Sequence, residues 1–254
     1  MAPRATEAPG ASSQDDSGDG RLTAGFAKYP ARRDAAVKSA SNWLMGKRLD
    51  DDCGELWRVH DTLYDLSDFE RRHPGGADWI GATRGTDITE AFESSHLSPD
   101  AAKILAKYAV RPASGRRNSP YTFQPDGFYM TLKRRAFQRL RDADPAAVRS
   151  MRRRVRAVQD ALLAVLAAGF LATAYWQSTL LAALTGVVLF ANINCAHNFY
   201  HQRDSWRMYC WDLGLLSSHE WRVTHSLSHH VYTNSIYDYE LSGFEPFFDF
   251  KVPR

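Results

Sequence analysis

The chain contains little cysteine: Cys53, Cys195 and Cys210 are scattered over 254 residues. Their spacing fits neither a zinc site nor a redox pair, and three cysteines are too few for a disulfide framework, so we expect reduced thiols. A secretory signal is also lacking, because residues 1–30 contain no apolar core. Their richness in Ala, Ser, Gly, Asp and Pro instead predicts a disordered tail over residues 1–36.

Charged side chains are absent from residues 161–196, a run of 36 residues. As a single helix this run would be about 54 Å long, whereas the hydrocarbon core of a bilayer is about 30 Å thick. A hairpin of two membrane-spanning helices fits better, with its break at the aromatic and polar residues 175–179. Two core helices of a soluble protein are the alternative.

Positive charge is concentrated just before this apolar run. Residues 128–156 hold ten Lys and Arg against two Asp, a local charge of +8 in a chain of net charge +3. Cations beside an apolar run are typical of the cytoplasmic face of a membrane, so we interpret the stretch as an interfacial helix on anionic lipid rather than a nucleic-acid-binding site. A soluble amphipathic helix packed on the preceding domain is the alternative. An even number of membrane passes would return residue 197 to the cytoplasmic side.

A first pair of histidines, His73 and His96, is placed on two short elements. Pro74 disfavours helix at His73, and the two glycines that follow allow a flat ligand to approach the backbone. His96 follows a capping-box-like helix start at residues 87–90. Two imidazoles on separate elements can hold one iron from opposite sides, and haem iron accepts histidine as an axial ligand.

Several further motifs surround this pair in order along the chain. They are Leu56-Trp57-Arg58-Val59-His60, Tyr64-Asp65-Leu66-Ser67-Asp68-Phe69, Gly85-Thr86-Asp87, Thr89-Glu90-Ala91-Phe92 and Ile104-Leu105 before Tyr108. Together with His73-Pro74-Gly75-Gly76 they resemble a cytochrome b5 domain over residues 37–115. The resemblance implies a small α+β haem-binding fold, haem b as cofactor, His73 and His96 as axial haem ligands, and an NADH-dependent reductase as electron donor.

Within this domain we expect an early core strand at Trp43 and Leu44 and short strands at residues 56–59 and 62–66, with His60 as part of a strand. The apolar residues predicted to line the haem pocket are Phe69, Trp79, Ile80, Phe92, Leu97, Ile104 and Leu105. An acidic surface that steers a basic reductase is predicted from Asp65, Asp68, Glu70, Asp78, Asp87, Glu90 and Glu93.

A second set of histidines follows the apolar run. His197 and His201 are four residues apart, as are His225 and His229, and His230 is adjacent to the second pair. Residues at i and i+4 share one helix face, a spacing that recurs in helical metal sites. Neutral imidazole suits divalent iron or zinc, so these five residues are candidate ligands of a non-haem metal. His219 lies outside both motifs and is expected at the surface or behind the ligands.

The two motifs resemble the first two histidine boxes of membrane fatty-acid desaturases, which surround a non-haem di-iron site. The resemblance covers residues 128–254. It implies an all-α membrane segment, with a linker and interfacial helix at 116–156 and a partial desaturase-like domain at 157–254. It also implies contact with membrane lipid, an acyl-lipid or acyl-CoA substrate, and a place in the endoplasmic reticulum membrane with the haem domain and histidine boxes on the cytoplasmic side.

A haem domain ahead of such boxes resembles front-end desaturases and the insect cytochrome b5-related proteins. Tethering a haem to the site that consumes its electrons converts a bimolecular delivery into an intramolecular one at high effective concentration. The family's third histidine box is absent from this sequence, and we do not expect Asp238 or Glu240 to replace it as ligands. We therefore expect a C-terminally truncated form with an incomplete di-iron site, which binds haem but does not desaturate alone.

Two other functions remain open on the sequence. One is a membrane-anchored haem electron carrier without catalytic activity, in which the hairpin is only an anchor. The other is a membrane lipid hydroxylase with a similar haem fusion. The number of iron ions per chain distinguishes the carrier from the enzymes, because a carrier would hold haem iron alone.

Overall fold

The structure is a computed structural model that describes residues 25–243. A small sheet with short helices is followed by a long helical hairpin and a second group of short helices, which confirms the predicted α+β part followed by an all-helical part. The helices are α1 (Ala40–Asp51), α2 (Ala77–Ala82), α3 (Thr89–Ser95), α4 (Asp100–Leu105), α5 (Phe128–Asp142), α6 (Pro145–Trp176), α7 (Thr179–His197), α8 (Ser218–Trp221), α9 (His230–Tyr232) and α10 (Tyr239–Ser242). The strands are β1 (Trp57–Val59), β2 (Thr62–Tyr64) and β3 (Ala109–Pro112). Segments of 3₁₀ helix cover Glu70–Arg72, Ala106–Tyr108 and Trp206–Gly214, and a π-helix covers Arg222–His229.

The first part, here called the sheet domain (residues 40–112), is built on an antiparallel sheet in the order β1-β2-β3. His60 has φ of 53° and lies in the turn between β1 and β2, so it is not part of a strand as predicted. Trp57 is fully buried, and its Nε1 donates to the carbonyl of Ile80 at 2.9 Å. This bond ties the sheet to α2, the helix that follows the His73 turn.

Trp43 and Leu44 lie in α1, so the prediction of a core strand there is wrong. The side chain of Ser39 accepts from the backbone N–H of Asn42 at 3.2 Å and caps the helix start. Serine at this position stabilises helix by satisfying a free backbone donor. Leu44 is buried with Val223 of the π-helix, so the apolar pair reflects packing between distant segments rather than a strand.

Residues 25–36, predicted as part of a disordered tail, are packed against the rest of the structure, whereas residues 1–24 lie outside the described part. Phe26 is only 4% exposed and contacts the rings of Tyr232 and Tyr237. The backbone N–H of Ala31 donates to the Asp50 carboxylate at 3.0 Å. Composition could not predict this packing because the partners of Phe26 are some 200 residues away in the chain.

Three of the acidic residues predicted at the surface are buried instead: Asp87, Glu90 and Glu93. Arg117 pairs with Asp87 at 2.8 Å and also with Glu90, and Lys133 of α5 pairs with Glu93. Buried carboxylates require such partners, because an unpaired buried charge is costly. The linker and the start of α5 are therefore bound to the sheet domain, and these three carboxylates do not contribute to a reductase-binding surface.

The basic stretch 128–156 is divided between two helices rather than forming one. α6 starts at Pro145, and the carboxylate of Asp144 accepts from the next two free backbone N–H groups at 2.9 and 3.1 Å. Proline disfavours helix at the residue before it and fits the first turn of a new helix. Asp144 and Pro145 thus separate α5 from α6. The prediction of a single helix followed the charge pattern and did not use this local signal.

Helices α6 and α7 form the predicted hairpin, with Gln177 and Ser178 between them. Both are long and apolar enough to cross a membrane, and only 11% and 17% of their most apolar windows are buried. They pack closely where a Cβ on Gly169 would meet the Thr185 hydroxyl at 2.7 Å. An exposed apolar surface of this kind is typical of a membrane-associated segment and unlike the core helices of a soluble protein.

A buried polar contact joins the sheet domain to the loop between α9 and α10. The Lys47 ammonium pairs with Asp51 at 2.9 Å and lies 3.3 Å from the hydroxyl of Tyr232. The Tyr237 hydroxyl donates to the Asp50 carboxylate at 2.7 Å. The two halves of the described chain are therefore packed into one unit through α1.

Gly46 offers a test of the packed segment at residues 25–36. A Cβ at this position in α1 would be 2.0 Å from the carbonyl oxygen of Ala31. We predict that Gly46→Ala releases this segment to proteases and lowers the free energy of unfolding by about 1–3 kcal/mol, the usual effect of overpacking. Gly186→Ala in α7 is the control, because a Cβ there meets nothing within 4 Å. Equal cleavage of residues 25–36 in both variants would contradict the packing.

Candidate haem and non-haem metal sites

His73 and His96 are positioned by the ends of two short helical elements. His73 follows the 3₁₀ segment Glu70–Arg72 with extended backbone angles, as the following proline predicts. His96 follows α3, and its backbone N–H closes that helix on the carbonyl of Phe92. Both imidazoles are partly buried, and they face each other across the space between the two elements.

Each of these rings has one nitrogen engaged by the backbone. Nδ1 of His73 donates to the carbonyl of Gly76 at 2.8 Å, and Nδ1 of His96 donates to the carbonyl of Phe92 at 2.9 Å. A carbonyl can only accept, so the proton is on Nδ1 and the lone pair of Nε2 is free in the neutral ring. Burial lowers the pKa of His96, which favours this neutral form.

The spacing of the rings fits a shared metal ion. Their centroids are 6.0 Å apart. Two metal–nitrogen bonds of about 2 Å, with about 1 Å from each nitrogen to its ring centre, would give about 6 Å. The spacing therefore leaves room for one metal ion between the two rings.

Only some of the residues predicted to line the space between His73 and His96 lie beside these histidines. Phe69 and Phe92 lie beside the two histidines, at ring-centroid distances of 5.8 and 4.8 Å from His73 and His96. Ile80 and Leu105 belong to the buried core that includes Trp57, whereas Ile104 is 41% exposed. Trp79 does not line the space as predicted, because its indole faces the histidine-rich half of the chain.

Four of the five other predicted ligands converge on one point. The Nε2 atoms of His197 and His225 are 2.7 Å apart, those of His197 and His201 are 3.0 Å apart, and those of His225 and His230 are 2.9 Å apart. The donor atoms of all four lie within 4.8 Å of one another. Four nitrogens around a tetrahedral metal would be about 3.3 Å apart, a value between the shortest of these separations and the 4.8 Å limit, so small side-chain movements would let the cluster hold one ion.

His229, the fifth predicted ligand, does not join the cluster. Its Nδ1 donates to the carboxylate of Asp238 at 3.0 Å, and its ring lies roughly parallel to that of His225 with centroids 5.7 Å apart. Asp238 is fully buried, which fixes this orientation. His219, expected at the surface or behind the ligands, is exposed at the start of α8.

Glu240 has a role that the sequence did not reveal. Its Oε1 accepts from Nδ1 of His225 at 2.5 Å, so Nε2 of His225 is directed at the cluster. Burial alone would raise the pKa of Glu240, but the hydrogen bond and charge of His225 lower it, and the carboxylate stays ionised. A carboxylate behind a ligating histidine fixes the tautomer and raises the basicity of the ligand. Asp238 and Glu240 thus each accept a hydrogen bond from a histidine.

The cluster is suited to a cation in its electronic state as well as its geometry. Burial and the charges of the neighbouring imidazoles lower the pKa of His201 to about 4 and also lower the pKa of His230. Both rings are therefore neutral at pH 7 and present lone pairs. His201 and His230 are exposed, while Trp221 stacks on His225 at 4.3 Å, so the cluster is covered on one side and open on the other.

One further residue, missed in the sequence, lies between the two histidine sets. The backbone N–H of Asp204 donates to the carbonyl of Gly75 at 2.8 Å, beside His73. Its carboxylate accepts from Nε1 of Trp79 at 2.8 Å and from the Arg222 guanidinium at 3.2 Å. No sequence motif includes Asp204, so only the tertiary structure identifies this contact.

Comparison with known proteins identifies a haem-binding type of domain in the first half of the chain. Residues 43–114 match the family model of the cytochrome b5-like heme/steroid binding domain. A cytochrome b5-related protein of Drosophila melanogaster is 41% identical over 219 residues, covering 86% of this chain and 49% of that protein. One from Drosophila virilis is 45% identical over 117 residues, covering 46% of this chain and 82% of that protein.

A more distant similarity extends to lipid-modifying proteins. An acyl-lipid (8-3)-desaturase of Mortierella alpina is 28% identical over 211 residues, covering 76% of this chain and 47% of that protein. The chain spans about half the length of this relative and of the Drosophila melanogaster protein. No solved structure matches the chain significantly.

The different surroundings of His225 and His229 lead to a prediction about metal content. We expect His225→Ala to remove the non-haem metal, because its Nε2 is within 2.9 Å of two other donors. His229→Ala should retain at least about half of the metal, since His229 is not among the four imidazoles whose donor nitrogens lie within 4.8 Å of one another. Total metal per chain, with haem iron subtracted from absorbance, measures both. Equal loss in the two variants would contradict a four-histidine cluster.

Proposed function

The chain belongs to the family of cytochrome b5-related proteins, and from this we propose that it receives single electrons on a haem held by His73 and His96 and transfers them to a non-haem metal centre of the desaturase type at a membrane. The similarity to acyl-lipid desaturases and the cytochrome b5-like domain support a role in electron transfer for lipid desaturation. The ligand assignments, the metal and the substrate are part of the proposal.

The contact between the two histidine sets is the observation that carries this proposal. Asp204 is bonded to Gly75, two residues after His73, and follows His201 by three residues. Three residues span at most about 11 Å of extended chain. Two redox sites this close suit electron transfer within one chain.

When bound, haem supplies a one-electron redox couple, and a histidine-bound non-haem iron supplies dioxygen activation. The residues of the chain would have separate tasks around these groups. His73 and His96 would hold one iron through Nε2, and Glu240, bonded to Nδ1 of His225, would direct Nε2 of His225 at the other metal. Trp221, stacked on His225 and on Trp211, covers one side of the cluster and excludes water from it.

The partners follow from the surfaces of the molecule. An NADH-dependent reductase is the proposed donor, and exposed Asp65 and Asp68 are among the four predicted acids that are not buried and would meet it. The exposed apolar sides of α6 and α7 would contact membrane lipid, with an acyl lipid or acyl-CoA as substrate. The exposed arginines of α5 and early α6 suit the cytoplasmic face of the endoplasmic reticulum membrane.

Substitution of the axial histidines tests electron entry. We predict that the chain shows a low-spin haem spectrum and is reduced by NADH with cytochrome b5 reductase. His73→Ala and His96→Ala should each lose the six-coordinate low-spin signal. His60→Ala is the matched control, because His60 lies in a sheet turn and pairs with Glu93 at 2.8 Å, away from the haem space. A low-spin six-coordinate spectrum that persists in the double variant would refute the assignment.

Turnover tests the completeness of the non-haem centre. Two iron ions need more ligands than the four histidine nitrogens that converge here, so we predict that the 254 residues alone form no double bond in an acyl substrate supplied with reductase and NADH. Mass spectrometry of the acyl products measures this. Clear double-bond formation would contradict an incomplete centre, and a chain that holds haem iron alone would favour the membrane-anchored carrier.

A further inference from the structure

Asp204 makes its contacts with both halves of the molecule through different groups. Its backbone N–H donates to the carbonyl of Gly75, and its Oδ1 accepts from Nε1 of Trp79 at 2.8 Å. Gly75 and Trp79 belong to the turn and helix that follow His73. The same carboxylate accepts from Nη1 of Arg222 at 3.2 Å. Arg222 begins the π-helix that carries His225 and His229.

Gly76 provides the space that this carboxylate occupies. A Cβ on Gly76 would lie 2.1 Å from Oδ2 of Asp204, and the residue has φ of +128°, a conformation that side chains disfavour. The second glycine of the His73 turn therefore serves the contact with Asp204 in addition to any contact with a flat ligand. The sheet domain and the histidine-rich half are shaped to fit each other at this point.

Arg222 has two acidic partners and an aromatic one at the same contact. It is only 2% exposed, its guanidinium lies 4.6 Å from the Trp79 ring centre, and Nη2 is 3.4 Å from the Asp78 carboxylate. A buried arginine requires such compensation, and removal of one partner leaves an unpaired charge. The contact is thus held by charge, by a directed hydrogen bond and by stacking of a cation on an aromatic ring.

The π-helix links the Asp204–Arg222 contact to the histidine cluster, because it carries both Arg222 and His225. Such segments are rare and occur mostly at functional sites. Its first residue is fixed by Asp204, and three residues later Nε2 of His225 points into the cluster. On the other side of Asp204, His201 precedes it by three residues. Both histidine segments are therefore attached to the His73 turn and to α2 through one residue, by its backbone N–H and by its carboxylate.

We propose that Asp204 is a positioning residue that holds the His73 turn against both histidine segments, so that the haem site and the histidine cluster form one preassembled unit. Its part in electron transfer rests on the function proposed above. With both groups bound, one electron would pass from ferrous haem iron, which would become ferric, to the non-haem metal, whose oxidation state would fall by one. The sheet domain does not have to move on a tether for this transfer.

Three variants test the proposal. Asp204→Ala removes both side-chain contacts, and Asp204→Asn keeps an acceptor for Trp79 but loses the charge that faces Arg222. Asp100→Asn is the matched control, because that carboxylate is also ion-paired, with Lys103 at 2.8 Å, but is 70% exposed on α4. All three are made in the full chain, and the haem absorbance and total metal content are recorded first.

Hydrogen–deuterium exchange gives the structural readout. In Asp204→Ala we expect amides in residues 73–82 and 222–229 to exchange at least about tenfold faster than in the parent, with a smaller increase in Asp204→Asn and none in Asp100→Asn. The low-spin haem spectrum should be retained in all three. Unchanged exchange in both segments, or loss of haem from Asp204→Asn, would overturn the proposal.

Electron transfer gives the second readout. A purely structural role would not change the rate of haem reoxidation while leaving the rate of haem reduction unchanged. After reduction by NADH and reductase, the rate of haem reduction should be unchanged in Asp204→Asn. Its metal-dependent reoxidation should slow at least about tenfold relative to the parent. If the parent holds no non-haem metal, the proposed function fails, while the exchange result still decides whether Asp204 joins the two halves. Equal reoxidation rates in the parent and in Asp204→Asn, with metal bound, would contradict the positioning role.

Discussion

The candidate sites depend on one constraint: Nδ1 of key histidines is bonded to a fixed oxygen acceptor. His73 and His96 use backbone carbonyls, whereas His225 and His229 use the carboxylates of Glu240 and Asp238. With Nδ1 committed, only Nε2 can bind a metal, and the backbone sets its direction. At the second site this holds for His225, whose Nε2 lies 2.7 and 2.9 Å from the Nε2 atoms of His197 and His230. His229 has the same kind of Nδ1 acceptor but is not among the four imidazoles whose nitrogens converge.

Local patterns were sufficient for the features that depend on neighbouring residues. Pro74 predicts the extended backbone at His73, and the absence of charge over residues 161–196 predicts a hairpin whose break the structure has at Gln177 and Ser178. His197 and His201 do meet, although α7 ends at His197 and His201 lies in the turns that follow it rather than on the same helix. In each case the signal lies within a few residues of the structure that it determines.

The features that sequence reasoning missed depend on residues far apart in the chain. Phe26 is buried by tyrosines near the other end, and Asp87 and Glu90 are neutralised by Arg117. Composition alone assigns such residues to tails and surfaces, because their partners cannot be identified without the fold. Asp204 is the clearest case: its sequence context is unremarkable, but it touches both halves of the molecule.

These long-range contacts hold the two halves of the described chain together, unlike two domains joined by a flexible tether. The linker is held by the ion pair of Arg117 with Asp87, and α1 packs against the loop that follows the second histidine segment. The His73 turn is bonded through Gly75 to Asp204, three residues after His201. Electron delivery by a fixed contact does not incur the entropy of a searching domain. The exposed faces of the hairpin remain available to lipid.

The most direct measurement of the central claim is a reduced-minus-oxidised absorbance spectrum of the purified chain, made with haem available, together with total iron per chain. The account predicts a low-spin b-type haem difference spectrum and more iron than haem. A colourless folded protein, or one without the low-spin signal, would contradict it.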